Sequence, residues 1–177
     1  MLFRSTGQGY PAATLERLFD EVPTIRAIKD WTPQVAQHES QIRALQGRKR
    51  PVNVLSTNSA WLLSSLVLGC NGLLSGSGSV IADLQARLYR AVKAGDLAEA
   101  RRLNDRIYPT ARVFYADPFV NMHNRMKEAL VLLGKLPRAV VRPPLVKIAD
   151  AEIAQIGEAL IAAGLLDPGK ALGRNAA

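Results

Sequence analysis

Over the first 95 residues, short β-like runs alternate with longer helical patterns, and the connections between them are brief. That alternation restricts the fold more than any other feature of the chain. Strands separated by helices cannot pair through hairpin turns. Each must be re-entered by a right-handed crossover, which gives a parallel sheet of βαβ units. A helix is expected over Pro11–Glu21, with Pro23 breaking it, and a strand over Ile25–Lys29. A polar helix over Gln34–Leu45 and a basic loop over Gly47–Pro51 lead to a second strand, Val52–Ser56. Asn58 is expected to cap a helix over Ser59–Leu68 that Gly69 stops. A short strand, Gly72–Ser75, precedes a helix over Val80–Ala94 that ends at Gly95.

The second half has a different pattern. Asp96 caps a helix over Leu97–Ile107, and Pro109 is expected to interrupt the helical pattern beyond it. Asp117-Pro118 reads as an N-cap followed by proline at the first helical position, opening a helix that runs to Leu133 and stops at Gly134. Arg138–Pro144 is extended and proline-rich, and Asp150 caps a last helix ending at Gly164. No strands separate these helices. The expected division is partial α/β units over 1–95, an all-helical extension over 96–166 and a flexible tail over 167–177.

With 177 residues the chain has the length of one ordinary domain, and 48% hydrophobic against 21% charged residues is enough for a packed core. A closed (β/α)₈ barrel typically takes about 250 residues. The single cysteine, Cys70, excludes an internal disulfide framework and fits a reducing cytoplasm. The N-terminus lacks the pattern of a signal peptide. The most apolar run, Trp61–Leu68, is far short of the ~20 residues a bilayer requires, so no membrane partner is expected. The net charge of +8 is concentrated in part on Arg87, Arg90, Lys93, Arg101, Arg102 and Arg106. Asp96, Glu99 and Asp105 interleave with them and no aromatic platform accompanies them, which favours a salt-bridged surface over nucleic-acid binding.

One lysine stands apart. Lys29 ends an apolar strand and shares its period-2 face with Ala27 and Ile25. Active sites of parallel α/β sheets collect at the carboxyl ends of strands. A partly desolvated amine there has a lowered pKa and is suited to forming a Schiff base with a carbonyl substrate. From position alone, a lysine that snorkels from a strand end and pairs with Asp30 is the commoner arrangement. Gly72–Ser79 is either a tight strand-to-helix turn or an anion site at a helix N-terminus, and it matches neither a Walker A loop nor GxGxxG. Ser56, Thr57 and Asn58 at the end of the second strand either line a polar site or cap the next helix. His38 and His123 have no cysteine or carboxylate at ligand spacing, so neither a metal nor another cofactor is expected.

Taken together, Ile25-Arg-Ala-Ile-Lys-Asp30, Val54-Leu-Ser-Thr57 and Leu68-Gly-Cys-Asn-Gly-Leu-Leu-Ser75 resemble the dihydrodipicolinate synthase/N-acetylneuraminate lyase family in order and spacing. Ala94–Ala100, Lys127–Gly134 and Val141–Pro144 are similar to later motifs of that family, so the resemblance covers roughly residues 10–166. It implies the C-terminal half of a (β/α)₈ TIM barrel, about four βα units, followed by helices. It also implies a lyase or aldolase that acts on a pyruvate-like 2-keto acid or an aldehyde, and a homo-oligomer. Lys29 would be the Schiff-base lysine. Ser56 and Thr57 would face the site, the Leu74 carbonyl would approach the keto acid, and Ser75 and Gly76 would follow it.

The departures are as specific as the matches. Phe3, in the strand remnant Met1–Phe3, stands about where the family has a proton-shuttling tyrosine, while Tyr10 lies outside the motif and Arg4 does not match the family's arginine. The Gly-x-x-Gly-Glu and Thr-Thr motifs of the family's early strands do not occur. The resulting expectation is a truncated, catalytically impaired lyase. Its alternative is a non-catalytic half barrel that self-associates or pairs with a separate N-terminal half.

Overall fold

In the computed structural model, residues 2–3, 10–57 and 59–171 are described. Asn58, the expected N-cap, lies outside them. The chain divides into two compact units, one of residues 1–75 with 89–96 and one of residues 76–88 with 97–177.

The first unit is built on a four-stranded, wholly parallel sheet in the order β1-β2-β3-β4. Its strands are β1 (Leu2–Phe3), β2 (Ala27–Asp30), β3 (Asn53–Ser56) and β4 (Gly72–Leu73). Helices α1 (Ala12–Glu21), α2 (Val35–Gln46) and α3 (Leu62–Val67) form the crossovers, α3 being preceded by a 3₁₀ turn over Ser59–Trp61. Sequential strands are spatial neighbours, as short crossovers dictate.

The expected strands are present, but β2 is shifted towards its C-terminus. It ends on Asp30 rather than Lys29 because Asp30 continues the ladder opposite Ser56. The core forms where apolar spacing meets the sheet. Leu15 and Phe19, one helical turn apart, are buried from α1, as are Ile42 and Leu45 from α2. Ile28, Val52 and Val54 are buried from the sheet. Arg50 donates to the carbonyls of Pro23 and Ile25, which anchors the basic loop at the entry to β2.

The second unit is helical. Helix α4 (Gly78–Lys93) starts there and reaches into the first unit's stretch, with a kink at Ile81. The others are α5 (Leu97–Phe114), α6 (Met122–Leu132), α7 (Asp150–Ala162) and α8 (Pro168–Ala171). Pro109 does not end a helix, contrary to its reading as a breaker, because α5 runs straight through it. A proline inside a helix costs about 3 kcal/mol. Residues on both sides of it, Leu103, Ile107, Ala111 and Phe114, are buried in one apolar stripe, and burying each large side chain is worth about 1.5–3 kcal/mol.

Asp117-Pro118 likewise does not cap α6. A 3₁₀ turn over Phe119–Asn121 intervenes, and the Asp117 carbonyl accepts a hydrogen bond from Arg125 Nη2 at 3.2 Å. Helix α7 starts on Asp150 itself, with Ala149 at the N-cap position and no side-chain cap. Gly95 and Gly164, expected at helix ends, have φ of +74° and +66°, the left-handed conformation that terminates α4 and α7 at low cost.

Candidate active site

Lys29 lies in β2, with Phe3 of β1 and Leu55 of β3 as its register partners. Leu55 in turn pairs with Gly72 of β4. Register partners in a parallel sheet share a face, so Leu55 and Gly72 lie on the Lys29 side. A Cβ at Gly72 would come within 2.5 Å of Leu55 Cδ2, which shows how tightly these two positions meet. Ile28 and Asp30 alternate to the other face and are buried at 2% and 0% exposure, whereas Lys29 is half-buried. Burial holds the Lys29 amine below the ordinary value of 10.5.

The strand ends continue past the sheet. Thr57 N–H donates to the Asp30 carbonyl at 3.0 Å, and Leu74 N–H donates to the Ser56 carbonyl at 2.9 Å. Alternation therefore carries Thr57 and Leu74 to the Lys29 face. Ser56 goes the other way. It is the register partner of Asp30 and is fully buried on the helix-covered side. Of the two hydroxyl residues expected to face the site, the period-2 geometry thus puts Thr57 on the side of the lysine and Ser56 behind the sheet.

Ser75 is hydrogen-bonded through its hydroxyl to that of Ser59, and Ser59 also donates to the Thr57 carbonyl. These hydroxyls gather at the carboxyl end of β3 and β4. Gly76 opens the second unit. Its carbonyl accepts from Ser79 N–H at 3.2 Å and from Ser79 Oγ at 2.9 Å. Ser77 N–H is directed to the Tyr115 hydroxyl at 3.2 Å, and Gln85 Nε2 donates to Ser77 Oγ. These bonds engage the Ser77 and Ser79 N–H groups with groups of the protein itself. Part of the basic stretch is engaged in ion pairs. Arg87 pairs with Glu99, and Glu99 also holds Arg102.

A second constellation was not legible in the chain. Behind β2, Asp30 Oδ1 accepts from Thr32 N–H and Oγ1 at 2.9 and 2.7 Å, and Asp30 Oδ2 lies 2.6 Å from His38 Nδ1. His38 Nε2 is 2.7 Å from Ser65 Oγ, Ser65 Oγ is 3.3 Å from Cys70 Sγ, and Cys70 Sγ is 3.6 Å from the Gly72 carbonyl. Asp30, His38 and Ser65 are all at 0% exposure. Burial favours the neutral imidazole, but the contacts to Asp30 and Cys70 outweigh it and raise the His38 pKa to about 9. For Asp30, burial pushes the carboxyl up, and the His38 and Thr32 bonds pull it back below its usual value. The eight-residue and longer separations between these residues carry no local signature. Among the described residues no three His, Cys, Asp or Glu side chains are grouped to hold a metal ion. No helix among them is long and apolar enough to cross a membrane.

Comparison with known proteins decides the family. The model of the dihydrodipicolinate synthetase family matches residues 3–163. The chain belongs to that family. YagE of Escherichia coli K12, a protein named for a 2-dehydro-3-deoxy-D-gluconate aldolase, is 31% identical over 152 residues, 85% of this chain and 49% of YagE. The 4-hydroxy-tetrahydrodipicolinate synthase of Sorangium cellulosum is 32% identical over 149 residues, 84% of this chain and 47% of the synthase. The crystal structure of YagE in complex with pyruvate superposes with a TM-score of 0.81 at 30% identity, covering 93% of this chain and 56% of YagE. The chain therefore shares the α/β fold of dihydrodipicolinate synthetase-family barrels while spanning about half the length of the curated relatives it matches.

Proposed function

We propose that this chain is a dihydrodipicolinate synthetase-family lyase or aldolase that engages a pyruvate-like 2-keto acid through a Schiff base on Lys29. The observation that carries the reading is Lys29 itself, a half-buried amine with its pKa depressed by burial, at the carboxyl end of an inner parallel strand. Its neutral amine attacks the keto carbon and water leaves, giving a protonated imine. The imine is an electron sink. Loss of a C3 proton then gives an enamine, or a C–C bond to C3 breaks with the electron pair passing into the imine. Thr57 lies on the same face, and by the family resemblance the Leu74 carbonyl, Ser75 and Gly76 contribute polar contacts to the bound acid, with Ser56 supporting them from behind. No cofactor enters this scheme.

The reading takes residues 1–95 as about four βα units of a (β/α)₈ barrel, 96–166 as a helical extension and 167–177 as a tail. It places the protein in the cytoplasm as a homo-oligomer. By the same resemblance, turnover of the isolated chain is impaired, because the carboxylate-holding and proton-relaying motifs do not occur in it and phenylalanine stands at position 3. Imine formation needs only the lysine and the ketone. Methyl-proton exchange of pyruvate in D₂O, followed by proton NMR, tests the scheme. Slow exchange that disappears in Lys29→Arg supports it, and equal exchange in both proteins overturns it.

A second reading rests on the strand order. β1 and β4 are each paired on one side only among the described strands. Open edges favour association, so a non-catalytic half barrel that self-associates or binds a separate N-terminal half is the alternative. Sedimentation at several concentrations distinguishes it, since a monomer throughout counts against self-association.

A further inference from the structure

The buried chain behind β2 starts one residue from Lys29 and ends on β4, two strands along the sheet. It runs from Asp30 through His38 of α2 and Ser65 of α3 to Cys70 and the carbonyl of Gly72 in β4. Hydrogen-bond bookkeeping gives it a direction. The Asp30 carboxylate only accepts, so His38 Nδ1 carries a proton. The Cys70 thiol proton is directed to the Gly72 carbonyl, and the single Ser65 hydroxyl proton to Cys70 Sγ. Ser65 Oγ is then left to accept from His38 Nε2, which must also carry a proton. All four contacts are made at once only by the imidazolium.

We propose that His38 is a positioning residue for the Lys29 amine: a buried imidazolium that neutralises Asp30 beneath the lysine and ties β2 to β4. This rests on Lys29 being the reacting amine. Without the His38 charge, the buried Asp30 carboxylate one residue from Lys29 would lose the cation paired with it at 2.6 Å. Charges on opposite faces of one strand are on the order of 10 Å apart, and the loss of one positive charge there would raise a lysine pKa by about half a unit to one unit. That would reduce the fraction of neutral amine at pH 7 by about three- to tenfold.

The ionisable groups facing His38 are Asp30 from β2 and Cys70 from the turn before β4. Two further described neighbours are neutral: the Ser65 hydroxyl, and the Trp61 ring, edge-on at 5.1 Å between centroids. On the paired strands the register partners of Lys29 are Phe3 and Leu55, neither of which ionises.

The test reads both groups without requiring turnover. Imidazole ¹⁵N NMR reports the protonation of His38, and ¹³C-dimethylated lysines report each amine titration, with Lys29 assigned through Lys29→Arg. The proposal expects His38 doubly protonated at pH 7, and a Lys29 midpoint that rises by about half a unit or more in His38→Gln. In the unaltered protein, the Lys29 signal should also shift as His38 loses its proton, a measurement independent of whether the variant folds. A neutral His38 at pH 7 overturns the proposal. So does a Lys29 signal insensitive to the His38 titration. Because neither readout involves pyruvate, a failure to trap the keto acid would count against the Lys29 chemistry and leave this coupling separately measured.

Discussion

Phe3 and Lys29 are parallel register partners across β1 and β2. The residue beside the candidate nucleophile is therefore one without a hydroxyl, at the place where the family resemblance expects a tyrosine. Restoring it is the direct experiment. Phe3→Tyr should accelerate methyl-proton exchange of pyruvate at least about tenfold, since a positioned acid or base commonly contributes about 10²–10⁴. An unchanged exchange rate would show that proton transfer at the imine does not depend on position 3.

The Asp30–His38 pair makes stability depend on pH, and the two partners act in opposite directions. The His38 pKa is raised to about 9 from 6.5. Its contribution is thus complete below about pH 6.5 and is lost as pH rises through about 9. The Asp30 pKa is lowered from 3.8, so its contribution is present above that value and is lost as pH falls through the folded pKa. The melting temperature should therefore be highest between about pH 4 and 6.5 and fall steadily towards pH 9. Thermal unfolding across that range checks it, and a flat profile from pH 6.5 to 9 would contradict a charged buried His38.

Breaking the same pair at one end should be costly. Removing one partner of a buried ion pair typically destabilises by about 3–5 kcal/mol, because the other charge is left without compensation. Asp30→Asn and His38→Leu should both approach that figure in urea unfolding, and the double variant should cost less than their sum.

In the helical unit, Arg125 of α6 is at 1% exposure, paired with Glu152 of α7 and donating to the carbonyls of Phe114, Ala116 and Asp117. Its donors satisfy carbonyls at and just beyond the C-terminal end of α5. Arg125→Ala should therefore destabilise by about 3–5 kcal/mol in urea unfolding, and Arg125→Lys should recover only a small part, since one ammonium cannot reproduce the planar fork.

The strand that carries Lys29 and the parallel order follow from period and turn residues, which are local, whereas the Schiff-base reading of Lys29 comes from the family resemblance. The division of Ser56 from Thr57 also follows from period 2, once β2 is known to end on Asp30 and so fixes the register. Pro109 misled because helix propensity is a weak force beside a buried stripe that includes Leu103, Ile107 and Phe114. Asp117 misled because a 3₁₀ turn over Phe119–Asn121 separates it from the start of α6. The Asp30–His38–Ser65–Cys70 chain could not be read at all. Its members meet only after α2 and α3 fold back on one side of the sheet, and a histidine looks isolated until they do.

The central claim is that Lys29 forms an imine with a 2-keto acid, and borohydride trapping measures it most directly. The protein is incubated with pyruvate, reduced, digested and mapped by mass spectrometry, with Lys29→Arg as the control. The rate should rise with pH and level off above a midpoint lower than 10.5, because the neutral amine is the nucleophile and burial depresses its pKa. The account predicts an adduct on the Lys29 peptide alone, absent in Lys29→Arg. No adduct, or label spread evenly over the lysines and unchanged in the variant, would contradict it.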